Sequence, residues 1–179
     1  KADKGVLFFD ELNRAPEKLQ NTLLQVLSER KVTLGGYDVD FEVDFIFMAT
    51  MNPQDTSTER LSDVLMDRFD LIYMGYPETD EVEKEIVLTK GKKLLDFPER
   101  LLDFCVKFVR LLRADPDLSK VPSVRASLGL YERAQSQAML RNRKSVIFED
   151  IKNVLMSVLA HRLELKPGLK YLKSPEEFV

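Results

Sequence analysis

A short apolar run that ends in two acidic residues places the strongest constraint on the fold of this chain. No polar residue interrupts Val6 to Phe9, and Asp10 and Glu11 follow directly. A continuous apolar run of this length predicts a strand that is covered on both faces, as in a parallel sheet. Because ligands of open parallel sheets bind at the carboxyl ends of the strands, we expect the two carboxylates at a binding edge.

The residues after this strand predict a helix and then a β-hairpin. Pro16 suits the first turn of a helix, and apolar residues follow it at helical spacing. From Val39 to Phe45, apolar and acidic residues alternate with the period of two that is typical of a strand. The pair Gly35-Gly36 separates that run from Val32–Leu34, so it predicts the turn of the hairpin.

Two more strands are predicted in the first part of the chain. Phe45–Thr50 is the second buried strand, and Asn52 lies just beyond its carboxyl end. A shorter strand is predicted at Leu71–Met74. Residues 1–77 therefore predict an α/β part, a parallel-sheet core that carries a hairpin insertion.

After Pro77 the sequence takes on the character of a helical bundle. Residues 78–179 contain four segments with apolar residues at helical spacing, so the chain is predicted to be α/β followed by all-α. Lys166-Pro167-Gly168 is expected to end the last helix. The four helices are predicted to begin near Thr79, Pro98, Ser123 and Glu149.

Composition excludes several classes of protein. The 27 basic and 30 acidic residues give a net charge of −3, so no charge excess points to nucleic acid or to a membrane surface. The single cysteine, Cys105, rules out an internal disulfide, and its apolar surroundings favour a buried core residue over a reactive thiol. With His161 as the one histidine, neither a zinc cluster nor a histidine-based catalytic set is indicated. No apolar run approaches the roughly 20 residues of a membrane-spanning helix.

Four sequence motifs, taken in order, resemble those of AAA+ ATPases. GVLFFDE at 5–11 resembles the Walker B strand, and FIFMATMNP at 45–53 resembles the sensor 1 strand. DVLMDRFD at 63–70 resembles the arginine-finger segment, and VPSVRASLGL at 121–130 resembles the sensor 2 helix. The predicted hairpin resembles the insertion that marks one AAA+ clade, and within that clade the sequence is most similar to the MoxR ATPases.

The resemblance implies a fold, two cofactors and a catalytic centre. The fold is a partial αβα core over residues 1–77, followed by a four-helix lid domain over residues 78–179. The cofactors are ATP and Mg²⁺. Asp10 would hold Mg²⁺ through water, Glu11 would orient and polarise the attacking water, and Asn52 would contact the γ-phosphate and that water.

Two arginines complete the implied site. Arg68 would reach the nucleotide of a neighbouring subunit as an arginine finger, and Arg125 would contact a phosphate as the sensor 2 residue. Arg125 also lies in the first turn of its predicted helix, where a cation opposes the helix dipole. A nearby anion would account for a cation at that position.

Each of these residues also has an ordinary structural explanation, which the sequence leaves open. The two acidic residues suit the N-terminus of the helix that follows them. Asn52 suits a turn before a proline. Arg68 has Asp67 beside it for a local salt bridge, and Arg125 could simply be solvated.

The phosphate-binding loop of such ATPases, Walker A, is absent from the sequence. None of the seven glycines begins the spacing G-x-x-x-x-G-K-[ST]. The family places this loop on a strand upstream of Walker B, next to the strand expected at Leu71–Met74. We therefore expect the chain to be the carboxyl-terminal part of a longer ATPase, to lack a neighbour for that strand and to be inactive alone.

The implied function is that of an ATP hydrolase in a homo-oligomeric ring, in this family a hexamer, located in the cytoplasm. Hydrolysis would remodel an unknown protein partner in a chaperone-like role, in assembly or in metal-cofactor insertion. The alternatives are a non-hydrolysing interaction and lid module, a magnesium-chelatase-like subunit and an MCM-like motor. The hairpin tip LGGYD has no Lys or Arg and the adjoining DVDFEVDF is acidic, which disfavours a nucleic-acid partner.

Overall fold

The computed structural model describes residues 2–33, 40–52, 61–170 and 174–178 of the chain. The chain divides into two compact units, Lys1–Ile72 and Tyr73–Val179. The boundary predicted from the sequence, between the α/β part and the helical part, lies slightly later, after residue 77. In the part of the chain that the structure describes, no helix is long and apolar enough to span a bilayer.

The first unit is built on two parallel strands. In chain order it contains β1 (Gly5–Phe9), a 3₁₀ turn (Leu12–Arg14), α1 (Glu17–Glu29), β2 (Lys31–Thr33), β3 (Asp40–Glu42), β4 (Phe45–Ala49) and α2 (Asp63–Met66). β1 and β4 are parallel, with Gly5 opposite Phe45, which confirms the predicted parallel pair. β2 and β3 are antiparallel, as predicted for the hairpin, while its turn at Gly35-Gly36 lies outside the described residues.

Apolar side chains from the two strands and from the segments after them form the core of the first unit. Phe9 of β1 and Phe47 of β4 pack against this core, and the ring centroids of Phe47 and Phe69 lie 5.6 Å apart. This packing fixes the chain that follows β1. The buried members of the core are Leu12, Ala15, Leu23, Leu61 and Leu65.

The other face of the β1–β4 sheet is exposed, which corrects the prediction of strands covered on both faces. Val6, Phe8, Ile46 and Met48 share that face, and each is between 51% and 60% exposed. Successive side chains of a strand point to opposite faces of the sheet. Because the core of the described residues packs against the face of Phe9 and Phe47, the alternate residues are exposed.

The prediction of a strand at Leu71–Met74 is wrong for this structure. Ile72, Tyr73 and Met74 are between 83% and 90% exposed. A strand is stable only when its backbone groups pair with those of a neighbour. Among the described residues, no strand pairs with this segment.

The second unit is a helical bundle with a small two-stranded addition. In chain order it contains α3 (Asp80–Lys90), α4 (Glu99–Ala114), β5 (Leu118–Lys120), α5 (Val124–Leu140), α6 (Phe148–Leu159), a 3₁₀ turn (Ala160–Arg162), β6 (Glu164–Leu165), α7 (Pro167–Lys170) and α8 (Pro175–Phe178). The helices α3 to α6 confirm the four predicted helices, and the side chains of Thr79 and Ser123 cap α3 and α5. The antiparallel pair of β5 and β6 was not predicted.

The last long helix ends earlier than predicted. α6 stops at Leu159, and Pro167 opens the short helix α7 instead of ending α6. Arg133 donates from Nη1 to the carbonyl oxygen of Ser157 at 2.9 Å, and Arg162 donates from Nη1 to that of Val158. These arginines satisfy carbonyl groups of the final turn, which would otherwise lack a partner within the helix.

The core of the second unit is formed mainly by apolar residues of α4, α5 and α6. Cys105 of α4 is completely buried in this core. Burial raises the pKa of its thiol to about 12, so the reactive thiolate is not formed at neutral pH. The structure confirms the prediction that Cys105 is a core residue.

A buried carboxylate, Glu83 of α3, joins three helices of this unit. Arg113 of α4 donates from Nη1 to Oε2 at 2.5 Å and from Nη2 to Oε1 at 2.7 Å. Ser127 of α5 donates from Oγ to Oε1 at 2.5 Å. Burial acts to raise the pKa of Glu83, but the hydrogen bonds from Arg113 and Ser127 lower it more, so its pKa lies below the ordinary value.

We expect acid to weaken the second unit through Glu83. The folded pKa is lower than the ordinary value of 4.5, so the stabilisation by ionised Glu83 is full above about pH 4.5. It is lost as the pH falls through the lowered folded pKa. In circular-dichroism melts of the chain, the melting temperature should therefore fall below about pH 4.5, and Glu83→Gln should flatten that fall.

The matched control is Glu85→Gln, an exposed position of the same helix. Its pH profile should run parallel to that of the wild type. If the Glu83→Gln profile also runs parallel to the wild type throughout the acid range, Glu83 does not contribute the expected pH dependence.

Candidate functional site

The carboxyl ends of β1 and β4 lie side by side and bring the predicted acidic residues to the end of the neighbouring strand. Asp10 and Glu11 follow β1, and Thr50 follows β4. The amide of Thr50 donates to the carbonyl oxygen of Phe9 at 3.0 Å, and the amide of Leu12 donates to that of Thr50 at 2.9 Å. These bonds extend the parallel pairing past both strands and hold the turn after β1 against β4.

The hydroxyl of Thr50 connects the two acidic residues. Its Oγ1 donates to Oδ1 of Asp10 at 2.5 Å and accepts from the amide of Glu11 at 3.0 Å. The first bond orients the carboxylate of Asp10, and the second fixes the backbone of Glu11. Thr50 was not predicted from the sequence, although its place two residues before Asn52, at the end of a strand parallel to β1, was an available signal.

The backbone of Glu11 lies in the left-handed region, with φ 55° and ψ 53°. A residue other than glycine rarely takes this conformation, and such strain is concentrated at functional sites. The Glu11 carboxylate lies 3.0 Å from Nη1 of Arg14, and both side chains are about half exposed. A pair this exposed is weak, so the Glu11 carboxylate stays accessible.

Asn52 and Arg68 lie in the same unit but have different surroundings. The backbone carbonyl of Asn52 accepts from Nδ2 of Asn13 at 3.2 Å, which ties the chain after β4 to the turn after β1. Arg68 follows α2 and donates from Nε to Oγ of Ser28 at 3.0 Å and from Nη1 to the carbonyl of Val64 at 2.6 Å. Its guanidinium thus has local structural partners, while the residue as a whole is exposed.

Arg125 belongs to the second unit, where it lies in the first turn of α5. Its amide donates to Oγ of the capping residue Ser123 at 3.3 Å, and its side chain is exposed. Burial lowers the pKa of Arg162, and the positive charges of Arg133 and Arg125 lower it further. Arg125 therefore lies at a helix N-terminus, within electrostatic range of Arg162, and a helix N-terminus favours an anion.

Asp10 has the chemistry of a ligand for Mg²⁺. Mg²⁺ usually keeps several waters and is bound through one or two carboxylates together with substrate phosphates. The exposed, oriented carboxylate of Asp10 is a hard oxygen ligand of that kind. Within the described ranges, no group of three His, Cys, Asp or Glu side chains could hold a metal ion by itself. The residues present therefore fit a Mg²⁺ ion that is held through water and phosphate.

Two family models match the chain over the regions that contain these residues. The ATPase family associated with various cellular activities (AAA) matches residues 3–71, which include the edge formed by β1 and β4. The AAA lid domain matches residues 118–177, which include α5 and α6. The chain belongs to the AAA+ ATPase family.

Within this family the chain is similar to a MoxR chaperone. It is 34% identical to Chaperone MoxR1 of Mycobacterium tuberculosis, over 89% of this chain and 50% of that protein. It is 29% identical to Uncharacterized protein YeaC of Bacillus subtilis, over 93% of this chain and 60% of that protein. A magnesium-chelatase subunit, the chloroplastic ChlI of Oryza sativa subsp. indica, is 25% identical over 93% of this chain and 46% of that subunit. The chain spans about half the length of the curated relatives it matches.

Solved structures show the same fold. The P216G mutant of RuvB from Thermotoga maritima superposes with a TM-score of 0.57 at 16% identity, over 89% of this chain and 46% of that one. NtrX from Brucella abortus superposes with a TM-score of 0.55 at 17% identity, over 84% of this chain and 35% of that one. These likenesses confirm the predicted fold class, α/β followed by all-α.

Proposed function

We propose that the chain is part of a MoxR-type ATPase that binds ATP and Mg²⁺ between the subunits of a hexameric ring. Hydrolysis in this ring remodels protein partners in the cytoplasm. The family membership supports the ATPase, and the likeness to Chaperone MoxR1 supports the remodelling of proteins. The likeness to a magnesium-chelatase subunit favours a second candidate, a motor subunit that acts in metal insertion.

The arrangement of Asp10, Thr50 and Glu11 carries this proposal. One hydroxyl orients the carboxylate of Asp10 and also holds the backbone of Glu11. The two carboxylates are thereby placed at the end of a parallel strand pair, where nucleotide-binding folds put their phosphate chemistry.

Each residue of the proposed site has a defined role. Asp10 would hold Mg²⁺ through water, and the ion would balance the charge of the phosphates of ATP, whose terminal phosphoryl group is transferred to water. Glu11 orients the attacking water and accepts its proton, and Asn52 contacts the same water and the γ-phosphate. Arg68 of a neighbouring subunit and Arg125 place positive charge on the phosphate oxygens.

The chain alone should show no ATP turnover above the blank, because its sequence contains no phosphate-binding loop. The complete protein, with that loop, should hydrolyse ATP in the presence of Mg²⁺. Phosphate release at matched concentrations of the isolated chain and the complete protein tests this pair of expectations. The Glu11→Gln form of the isolated chain is the control for a contaminating ATPase.

Turnover by the isolated chain that depends on Mg²⁺ and disappears with Glu11→Gln would show that no further phosphate-binding loop is needed. A complete protein that binds ATP but never hydrolyses it would favour a non-hydrolysing interaction module.

A further inference from the structure

The segment that carries Arg125 is anchored from two sides by one buried ion pair. Arg113 donates from Nε to the carbonyl oxygen of Pro122 at 2.7 Å, just before the capping residue of α5. Glu83, the partner of Arg113, accepts from Oγ of Ser127 at 2.5 Å, one turn into α5. Pro122 and Ser127 flank Arg125, so the network fixes the chain before and after it.

The geometry of α5 places Arg125 away from this network. Residues two apart on an α-helix differ by about 200° in direction around the helix axis. Ser127 is fully buried against Glu83, whereas Arg125 is exposed. The anchors therefore determine how the first turn of α5 is rotated, and hence the direction in which Arg125 leaves the helix.

The buried contacts of Glu83 and Arg113 form a rigid support. Glu83 is fully buried, and the side chain of Arg113 is only 8% exposed. Arg113 uses both Nη groups on Glu83 and its Nε on Pro122, and its guanidinium lies 4.8 Å from the ring centroid of Tyr76. A two-point contact of this kind sets distance and angle together, so it restricts geometry more than an apolar contact would.

Stability alone does not account for this pair. Buried ion pairs are often no more stabilising than apolar side chains of similar volume. A bidentate pair such as this one fixes the relative orientation of the two groups that it joins. We propose that Glu83 and Arg113 are positioning residues for Arg125, which aim it at a phosphate of the bound nucleotide. This inference rests on the proposed function, because that function gives Arg125 its phosphate contact.

The test is a double-mutant cycle in the complete protein. Glu83→Gln, Arg125→Ala and the double variant are compared with the wild type by kcat/KM for ATP. Misplacement of a positioning group by about 1 Å lowers activity by up to roughly 10²-fold. When Arg125 is present, we expect Glu83→Gln to lower kcat/KM by about tenfold or more. When Arg125 has been replaced by alanine, Glu83→Gln should lower it by less than about twofold.

A second buried pair in the same unit supplies the matched control. Asp150 is fully buried, pairs with Arg143 and accepts from the amide of Ile147 at 3.0 Å. This pair lies beyond the far end of α5, which is about 25 Å long. Asp150→Asn and Glu83→Gln should both lower the melting temperature, but Asp150→Asn should leave kcat/KM within about twofold of the wild type. All assays are run well below the lowest melting temperature.

The outcomes separate the inference from the proposed function. If Arg125→Ala lowers kcat/KM but Glu83→Gln has the same effect with and without Arg125, the positioning role is wrong and the proposed function stands. If Arg125→Ala leaves kcat/KM unchanged, both the phosphate contact of Arg125 and the positioning role are wrong. Should Glu83→Gln fail to fold, Ser127→Ala keeps the ion pair, removes one anchor and takes its place in the same cycle.

Discussion

Replacing Arg68 with alanine in the complete protein should lower ATP turnover by about 10³-fold or more. An arginine finger stabilises the negative charge that develops on the transferred phosphoryl group, and effects of that size are typical of its loss. The exposed guanidinium of Arg68 is available to a neighbouring subunit once its two local hydrogen bonds, to Ser28 and Val64, are exchanged. Steady-state phosphate release measures the loss, and nucleotide binding should remain.

The local contacts of Arg68 require their own control. Ser28→Ala removes the acceptor of the 3.0 Å bond from Nε but keeps the cation. If Arg68 acts on a phosphate, this variant should keep turnover within about twofold of the wild type, because an exposed hydrogen bond adds little. A loss in Ser28→Ala as large as that in Arg68→Ala would assign Arg68 to the support of α2 against α1.

Glu11→Gln should preserve ATP binding and lower turnover by about 10²-fold. The amide keeps the size of the side chain but is a poor proton acceptor, and removal of a positioned acid–base group typically has this effect. Equilibrium binding of ATP with Mg²⁺, measured beside turnover, distinguishes a failure of chemistry from a failure of binding. The control is Glu17→Gln, an exposed glutamate in the first turn of α1.

The Glu17→Gln variant should match the wild type in both measurements. Turnover near the wild-type level in Glu11→Gln, with Mg²⁺ binding intact, would leave Glu11 only a structural role in its left-handed turn and its contact with Arg14.

The parts of the fold that follow local patterns were predictable from the sequence. The apolar run before Asp10 and the run before Asn52 became the parallel strands β1 and β4. The alternation before Phe45 became a strand of the hairpin, and the caps at Thr79 and Ser123 began their helices. In each case the residues that specify the element lie within a few positions of one another.

The features that escaped prediction depend on residues far apart in the chain. Thr50 contacts Asp10 across 40 positions, and Ser127 contacts Glu83 across 44. Neither contact leaves a periodic pattern in the sequence. Likewise, Leu71–Met74 has the composition of a strand, but pairing requires a neighbour that its own residues cannot specify.

The same difference between local patterns and distant contacts applies to the site residues. Their types and order suggested the chemistry, and the structure places Asp10 and Glu11 at one edge with Thr50. Arg68 has two local partners that the sequence did not indicate, Ser28 and Val64, in place of a salt bridge to Asp67.

In the proposed ring, this chain supplies one catalytic glutamate to its own nucleotide and one arginine to that of its neighbour. Mixing Arg68→Ala subunits with Glu11→Gln subunits of the complete protein tests it most directly. Each variant alone should be nearly inactive. In mixed rings, some interfaces combine an intact Glu11 with an intact Arg68 from the adjacent subunit, so ATP turnover should partly return and depend on the mixing ratio. If the subunits demonstrably co-assemble and no turnover returns at any ratio, Arg68 does not act across the interface and the proposed ring mechanism is contradicted.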